Sequence, residues 1–245
     1  MSSQENILSS PSPAKAKRPF VFINVAMTVD GKLAPASRVF VPFSSQRDQD
    51  LLMQLRTDAD AVMAGARTVD LGKVDLGPGS ARLRRLRVKK GMAEYNLRVI
   101  VSGSGTVNPK AYIFQRRFSP IIILTTGRAS KQQIKNLSRV ADEVKVWGNT
   151  EIDFPLALEW LREKWHVKRL LCEGGGELNE GLFRVGLINQ IYVTISPLVF
   201  GGRDAPTLAD GQGIKNLAQA TNLRLKSMKR FGDELFLVYD IKADG

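Results

Sequence analysis

The stretch "LLCEGGGELNEG", residues 170–181, decides how the rest of the chain is read. An apolar run ends in a carboxylate, Glu173. Gly174, Gly175 and Gly176 follow, and then an amphipathic segment begins. Glycine weakens any strand or helix it sits in, because it loses the most backbone freedom on folding. Glycines placed together between an apolar run and a helical pattern therefore mark a strand-to-helix turn. Such a turn lets backbone N–H groups approach an anion at a helix N-terminus, as a cofactor pyrophosphate requires. It equally permits tight strand–helix packing, and the residues leave both readings open. The dinucleotide fingerprint of a first βαβ unit does not fit, since counting from Gly174 it asks for Gly or Ala where Asn179 stands. Glu173, at the carboxyl end of a buried strand, sits where α/β sheets bind ligands, or serves as a structural hydrogen-bonding group.

Upstream and downstream of this turn, apolar runs alternate with helical patterns. "FVFINVAMTV" (20–29) is dense and β-branched, as a strand buried on both faces would be. "SSQRDQDLLMQLR" (44–56) predicts a helix capped by Ser44 or Ser45, with Asp48 in its first turn. Short strands follow in "DAVMAG", "LRVIVSG", "SPIIILTTG", "DEVKVWG" and "VKRLLCEG". "FPLALEWLREKW" places Leu158, Leu161 and Trp165 on one helical face. "ELNEGLFRVG" does the same for Leu178, Leu182 and Val185, with Gly186 as its stop. "NQIYVTISPLVFGG" predicts a long strand, and "LRLKSMKRFGDELFLVYDIK" two strands joined at a "GD" turn. The order predicts an α/β fold, a single mostly parallel sheet flanked by helices and closed by a C-terminal antiparallel hairpin. Residues 20–245 read as one domain behind a Ser/Pro/Lys-rich leader over 1–19, which is expected to be disordered. Residues 70–96, around "LGPGS" and the basic run, are expected to be the least structured part, a long functional or mobile loop.

A second strand–glycine turn lies in "AVMAGARTVD" (61–70). Gly65 ends the strand, and Arg67 and Thr68 follow at the expected helix start, where a hydroxyl, N–H groups and a planar fork suit a phosphate. Two such turns suit a dinucleotide with phosphates at two places.

Composition narrows the chemistry. With 43% hydrophobic and 24% charged residues, 245 residues bury an ordinary core without a metal or disulfide. One cysteine, Cys172, and one histidine, His166, exclude an intrachain disulfide and a Cys/His zinc site. A Ser-His-Asp triad would have to use His166, in "REKWHVKR", which reads instead as a solvated or capping residue. Cys172 reads as a small buried core residue. Basic residues outnumber acidic ones by 36 to 24, a net charge of +12. Much of that is local. "RLRRLRVKK" (82–90) carries six positive charges and no negative one, and no aromatic residue interleaves with them as single-strand binding favours. Nucleic acid is therefore an unfavoured partner; a phosphate ligand or a solvated patch accounts for the charge. No apolar run reaches the roughly 18 residues of a membrane-spanning helix, and the leader lacks the apolar region of a signal peptide. A cytoplasmic protein is expected.

Several blocks together carry a resemblance: "AMTVDGKLA" (26–34), "LR…DAVMAGARTV" (55–69), "EGGGELNEGLFRVGLINQIYVTISPLVFGG" (173–202) and the closing strand pair. They resemble the riboflavin-pathway pyrimidine reductases, whose fold is dihydrofolate-reductase-like, over most of residues 20–240. The resemblance implies reduction by NADPH of a 5-amino-6-(ribosylamino)pyrimidine 5′-phosphate to its ribitylamino form, in a homodimer. It implies that Thr68, Glu173, Gly174 and Gly175 line the cofactor site, to which Gly65, Arg67 and Gly176 are added from the two turns. Arg67 is read as a reader of the 2′-phosphate. Asp30, Ser44, Ser45 and Arg56 would face the substrate, with Arg56 on its phosphate and Asp30 and Glu173 in catalytic positions. No metal is implied. A zinc deaminase domain, fused to this reductase in many bacteria, needs cysteines and a histidine that this chain cannot supply, so a stand-alone form is expected.

One departure stands out. After the threonine the family carries a pair of aspartates before a proline; here "TVDLGKVDLGPG" puts Gly72 and Lys73 in their place, with Asp70 and Asp75 as possible substitutes. The basic run 82–90 has no counterpart. Two other readings therefore stay open: a reductase of the same fold acting on a folate- or pterin-like substrate, and a non-catalytic nucleotide or nucleic-acid binder.

Overall fold

The computed structural model describes residues 17–39 and 42–242. The chain runs β1 (Phe20–Thr28), α1 (Gln46–Arg56), β2 (Ala61–Gly65), α2 (Ala66–Leu71), α3 (Ala81–Lys89), β3 (Leu97–Val101), α4 (Tyr112–Gln115) and β4 (Ile121–Thr125). It continues through α5 (Lys131–Leu137), β5 (Glu143–Val146), α6 (Phe154–Lys164), β6 (Arg169–Cys172), α7 (Gly176–Arg184), β7 (Gln190–Ser196), β8 (Leu223–Phe231) and β9 (Glu234–Ile241). The strands form one nine-stranded sheet in the order β5-β4-β3-β2-β6-β1-β7-β9-β8. β1 to β7 pair in parallel; β9 runs antiparallel to β7, and β8 to β9. The expected α/β architecture with its antiparallel hairpin is the one observed.

Alternation along β1 divides the core. Val21, Ile23 and Val25 face Leu158 and Leu161 of α6 and Leu178 and Leu182 of α7. Phe22 faces the other way, into a layer with Leu55 of α1 and Val69 of α2. Each such fully buried side chain contributes about 1.5–3 kcal/mol. Local signals fix the helix ends. Ser45 caps α1, accepting from the Asp48 N–H. After α7, Gly186 takes φ +64°. Its N–H donates to Phe183 O and that of Leu187 to Leu182 O, a Schellman stop. Val185 falls outside α7 and is exposed, so it does not complete the expected apolar stripe.

The basic run is not a loop. Residues 81–89 form α3, capped by Ser80. Leu83 and Arg87 are buried one turn apart, so the run is an amphipathic helix whose inner face includes an arginine. The Arg87 guanidinium donates to the carbonyls of Arg56, Ala59 and Ala93. Arg98, on β3, donates to those of Ile113, Arg116 and Ser119, and burial pulls it down to about 10. Part of the positive charge is thus spent inside, satisfying loop carbonyls that would otherwise be buried without partners.

Three further differences are local. Helices α4 and α5 had no counterpart in the reading above; α5 is a short helix closed by a Ser130–Gln133 capping box. The strand read through "NQIYVTISPLVFGG" stops at Ser196, because Pro197 has no N–H for the ladder. Of the leader, residues 1–16 lie outside the described residues, whereas Arg18 is bonded to Glu159.

Candidate active site

The carboxyl ends of β1, β2, β6 and β7 meet along one edge of the sheet, and the residues singled out in the sequence gather there. The ladder between β2 and β6 continues past the strand end. The Glu173 N–H donates to Met63 O at 2.8 Å, and the Gly65 N–H to Gly174 O at 3.1 Å. The two glycine turns, more than a hundred positions apart in sequence, are therefore in direct contact.

The triple glycine has three separate reasons. Gly174 and Gly175 adopt φ +78° and +84°, a left-handed conformation costly for other residues. A Cβ on Gly174 would also sit 3.2 Å from the Asn179 amide nitrogen. Around Gly175 there is open space. Gly176 has an ordinary φ, but a Cβ there would collide with Asp210 and with Thr207 O at 2.7 Å. Both readings of the run hold at different positions: Gly176 is a packing glycine, and Gly175 faces the open edge. Gly65, with φ −72° and room for a Cβ, needs no glycine for conformation. No side chain caps α7, so Gly175 and the first turn present uncapped N–H groups. Arg67 is exposed and Thr68 half-buried beside this turn.

Arg56 and Glu173 form a nearly buried fork-to-carboxylate pair, Nε–Oε1 2.6 Å and Nη2–Oε2 2.7 Å. A third donor, Nη1, holds Gly77 O at 2.8 Å and lies 3.9 Å from Asp75 Oδ1. Burial pulls the guanidinium down, but the charge and hydrogen bonds of Glu173, with the charge of Asp75, outweigh it and keep Arg56 cationic. The fork expected to take a substrate phosphate is thus directed at Glu173. Both carboxylate oxygens of Glu173 in turn accept from the Arg56 fork. Asp75 is the partly open carboxylate of this group, with Oδ1 accepting from the Gly77 N–H. Asp70 faces away from the pair, accepting from the Asn108 N–H.

Asp30 accepts from the Thr28 hydroxyl and from the N–H groups of Phe200 and Gly201, at 3.2 and 2.7 Å. The Thr28 bond, with the two backbone bonds, holds its carboxyl below the ordinary range. It ties the "VDGK" turn to the "FGG" loop as an anion, an arrangement that does not suit a proton donor. Lys32 and Arg38 reach the carbonyls of Ala205 and Asp204 in the same loop. Ser45 donates through its N–H and hydroxyl to Glu234, which also accepts from Ser196. Ser44 is half-buried beside it. Glu234 is a buried carboxylate that the sequence reading missed, since a hairpin acid gives no signal of its burial.

Cys172 is fully buried, and burial pushes its thiol up to about 12; His166 is exposed, at φ +55°. Neither is placed for catalysis. Among the described residues no group of three potential metal ligands occurs, and no helix is long and apolar enough to cross a membrane.

A mostly parallel sheet with an antiparallel hairpin, and an uncapped glycine turn at its carboxyl edge, define the dihydrofolate-reductase-like class. Residues 19–237 match the model of the RibD C-terminal domain, and the chain belongs to that family. It is 34% identical over 226 residues to the 2,5-diamino-6-ribosylamino-4(3H)-pyrimidinone 5′-phosphate reductase of Methanothermobacter thermautotrophicus, covering 92% of this chain and 100% of that one. The reductase of the same name from Archaeoglobus fulgidus is 33% identical, over 88% of this chain and 95% of that one. Among solved structures, a pyrimidine reductase-like protein from Corynebacterium diphtheriae superposes with a TM-score of 0.78 at 22% identity, over 92% and 93% of the two chains.

Proposed function

We propose that the chain is an NADPH-dependent reductase of riboflavin biosynthesis. It would convert a 5-amino-6-(ribosylamino)pyrimidine 5′-phosphate to its ribitylamino form. The observation that carries this reading is the match to the Methanothermobacter thermautotrophicus reductase along that protein's whole length. The edge geometry supports it. NADPH, when bound, supplies hydride to C1′ of the open-chain imine. The uncapped start of α7 and the open side of Gly175 suit its pyrophosphate, and Thr68 and Arg67 border the adjacent turn, where Arg67 would take the 2′-phosphate. The Arg56–Glu173 pair acts one layer back, fixing the strand end from which Gly174 and Gly175 project. Chemistry of this kind asks the protein to orient reactants and exclude water, with the redox work done by the cofactor. On this reading Asp75 and Ser44 would face the substrate, and Asp30 would hold the "FGG" loop beside it.

The protein is further proposed to be a cytoplasmic homodimer. Strand β8 is an unpaired sheet edge with Leu225 and Met228 51% and 64% exposed, a surface that a second copy would cover. Sedimentation of the purified protein tests this, and a monomer at micromolar concentration rejects it.

The activity itself is tested by thermal shift with NADPH and NADH, followed by NADPH oxidation in the presence of the substrate. A rise with NADPH that survives added salt, and turnover, support the reading. Stabilisation by nucleic acid, lost steeply with salt and without NADPH consumption, would instead favour the non-catalytic alternative.

A further inference from the structure

Asn179 stands where the dinucleotide fingerprint, counted from Gly174, asks for a glycine or alanine. It lies one turn into α7 and is fully buried. Asparagine is a weak helix former, because its side chain seeks backbone partners outside the helix. A buried one inside a helix therefore needs such partners, and Asn179 has them on three sides. Its amide Nδ2 donates to Leu208 O at 2.8 Å. Its Oδ1 accepts from Cys172 Sγ, at the end of β6, at 3.5 Å. The amide lies against the open face of Gly174, where a Cβ would stand 3.2 Å from Nδ2 and 3.4 Å from Oδ1. The Leu208 carbonyl can only accept, so the amide nitrogen must face it and the group has one orientation. The alanine of the fingerprint would make none of these contacts.

Leu208 belongs to the segment 200–210, which runs from one side of the site to the other. At its start the N–H groups of Phe200 and Gly201 donate to Asp30. Further on, the Leu33 N–H donates to Pro206 O, and Lys32 bridges to Thr207. At its end the Asp210 N–H donates to Gly176 O at 3.0 Å. The segment thus fastens the end of β1 to the start of α7. Asn179 joins that segment, the end of β6 and the glycine turn through a single side chain.

On the proposed reductase reading, we propose that Asn179 is a positioning residue for hydride transfer. It holds the Gly174–Gly175 turn, and with it the pyrophosphate of NADPH, in a fixed place relative to the β1 end on the substrate side. It acts through Gly174 and Leu208 and touches neither reactant. Such a residue matters because a misplacement of about 1 Å can cost about 100-fold in rate.

The test uses the full chain. Titration of nicotinamide fluorescence without substrate gives the Kd for NADPH. Turnover with NADPH, and with NADPH deuterated at the nicotinamide C4, gives kcat and its isotope effect. In Asn179→Ala the Kd is expected to rise about tenfold. The kcat is expected to fall by about 10- to 100-fold, with an isotope effect no smaller than that of the wild type, because the hydride step itself is slowed. Asn179→Ser leaves a smaller gap and a hydroxyl for the Cys172 thiol, and serves if the alanine variant does not fold; changes of several-fold in the same directions are expected. A lower melting temperature with Kd and kcat within about twofold of the wild type would make Asn179 a packing residue only. That result overturns the inference while the reductase reading stands, as does a fall in kcat whose isotope effect vanishes. A wild type that neither binds nor oxidises NADPH overturns both.

Discussion

The guanidinium of Arg56, at the end of α1, closes two parallel hydrogen bonds on the carboxylate of Glu173, at the end of β6. A residue that the family resemblance places on a substrate phosphate is instead the internal partner of the residue that begins the glycine turn. Removing one member leaves the other charged and nearly out of water. Arg56→Ala is expected to destabilise the fold by about 3–5 kcal/mol, whereas exchanging both residues for apolar ones of similar volume costs much less. Denaturant unfolding of the single and double variants measures this. A loss below about 1 kcal/mol for Arg56→Ala would mean the pair is ornamental to the fold.

The glycines of the turn should separate under substitution. Gly175→Ala meets no protein atom but must hold a left-handed φ, which costs about 1–3 kcal/mol. Its methyl group points to open space on the side proposed for NADPH, so nucleotide binding should weaken as well. Gly176→Ala drives a methyl group into Asp210 and Thr207 O, and its main effect should be on stability. Gly65→Ala should be nearly silent in stability. Melting temperature and NADPH affinity, measured on the three variants, give the pattern; equal behaviour at 175 and 176 would remove the distinction drawn between them.

Arg67 is expected to set cofactor choice. Its side chain is exposed at the turn in contact with Gly174, and a planar fork suits a phosphate monoester. Arg67→Ala should raise the KM for NADPH by about tenfold, the equivalent of about 1.4 kcal/mol, and leave that for NADH unchanged. A parallel rise for both nucleotides would place Arg67 elsewhere on the cofactor.

Asp30 gives a pH signature. Its folded pKa lies below the ordinary value of 3.8, first because of the Thr28 hydroxyl and then because of the Gly201 and Phe200 N–H groups. A depressed carboxylate contributes stability that is present above the unfolded pKa and lost as pH falls through the folded one. Its contribution should therefore fade below about pH 4. Unfolding free energies of the wild type and Asp30→Asn should converge there and differ above it. A difference that grows as pH falls would contradict the hydrogen-bonding assignment.

Much of the architecture is legible in the sequence, and the reasons are local. The β-branched run at 20–28, Ser45 ahead of α1, Gly186 after α7 and the "GD" between β8 and β9 each act on the residues beside them. Such signals name strands, helices and turns, and their alternation names the parallel sheet. The two glycine turns are legible for the same reason, because a strand-to-helix turn needs backbone freedom wherever it occurs. The resemblance of the blocks around them to a reductase family extends the reading from fold to chemistry.

Only the tertiary structure decided which side chains those turns bring together. That Gly65 donates to Gly174, that Arg56 is spent on Glu173, and that Arg87 turns inward to three carbonyls all depend on contacts between distant segments. Composition describes the run that forms α3 as a basic, solvated loop, because it weighs each residue against water alone. An arginine is buried when the fold leaves carbonyls that nothing else can satisfy, and a carboxylate is clamped when a cation arrives from another element. Charge at a position is written in the chain; whether it is free to meet a ligand is set by the partners that folding supplies.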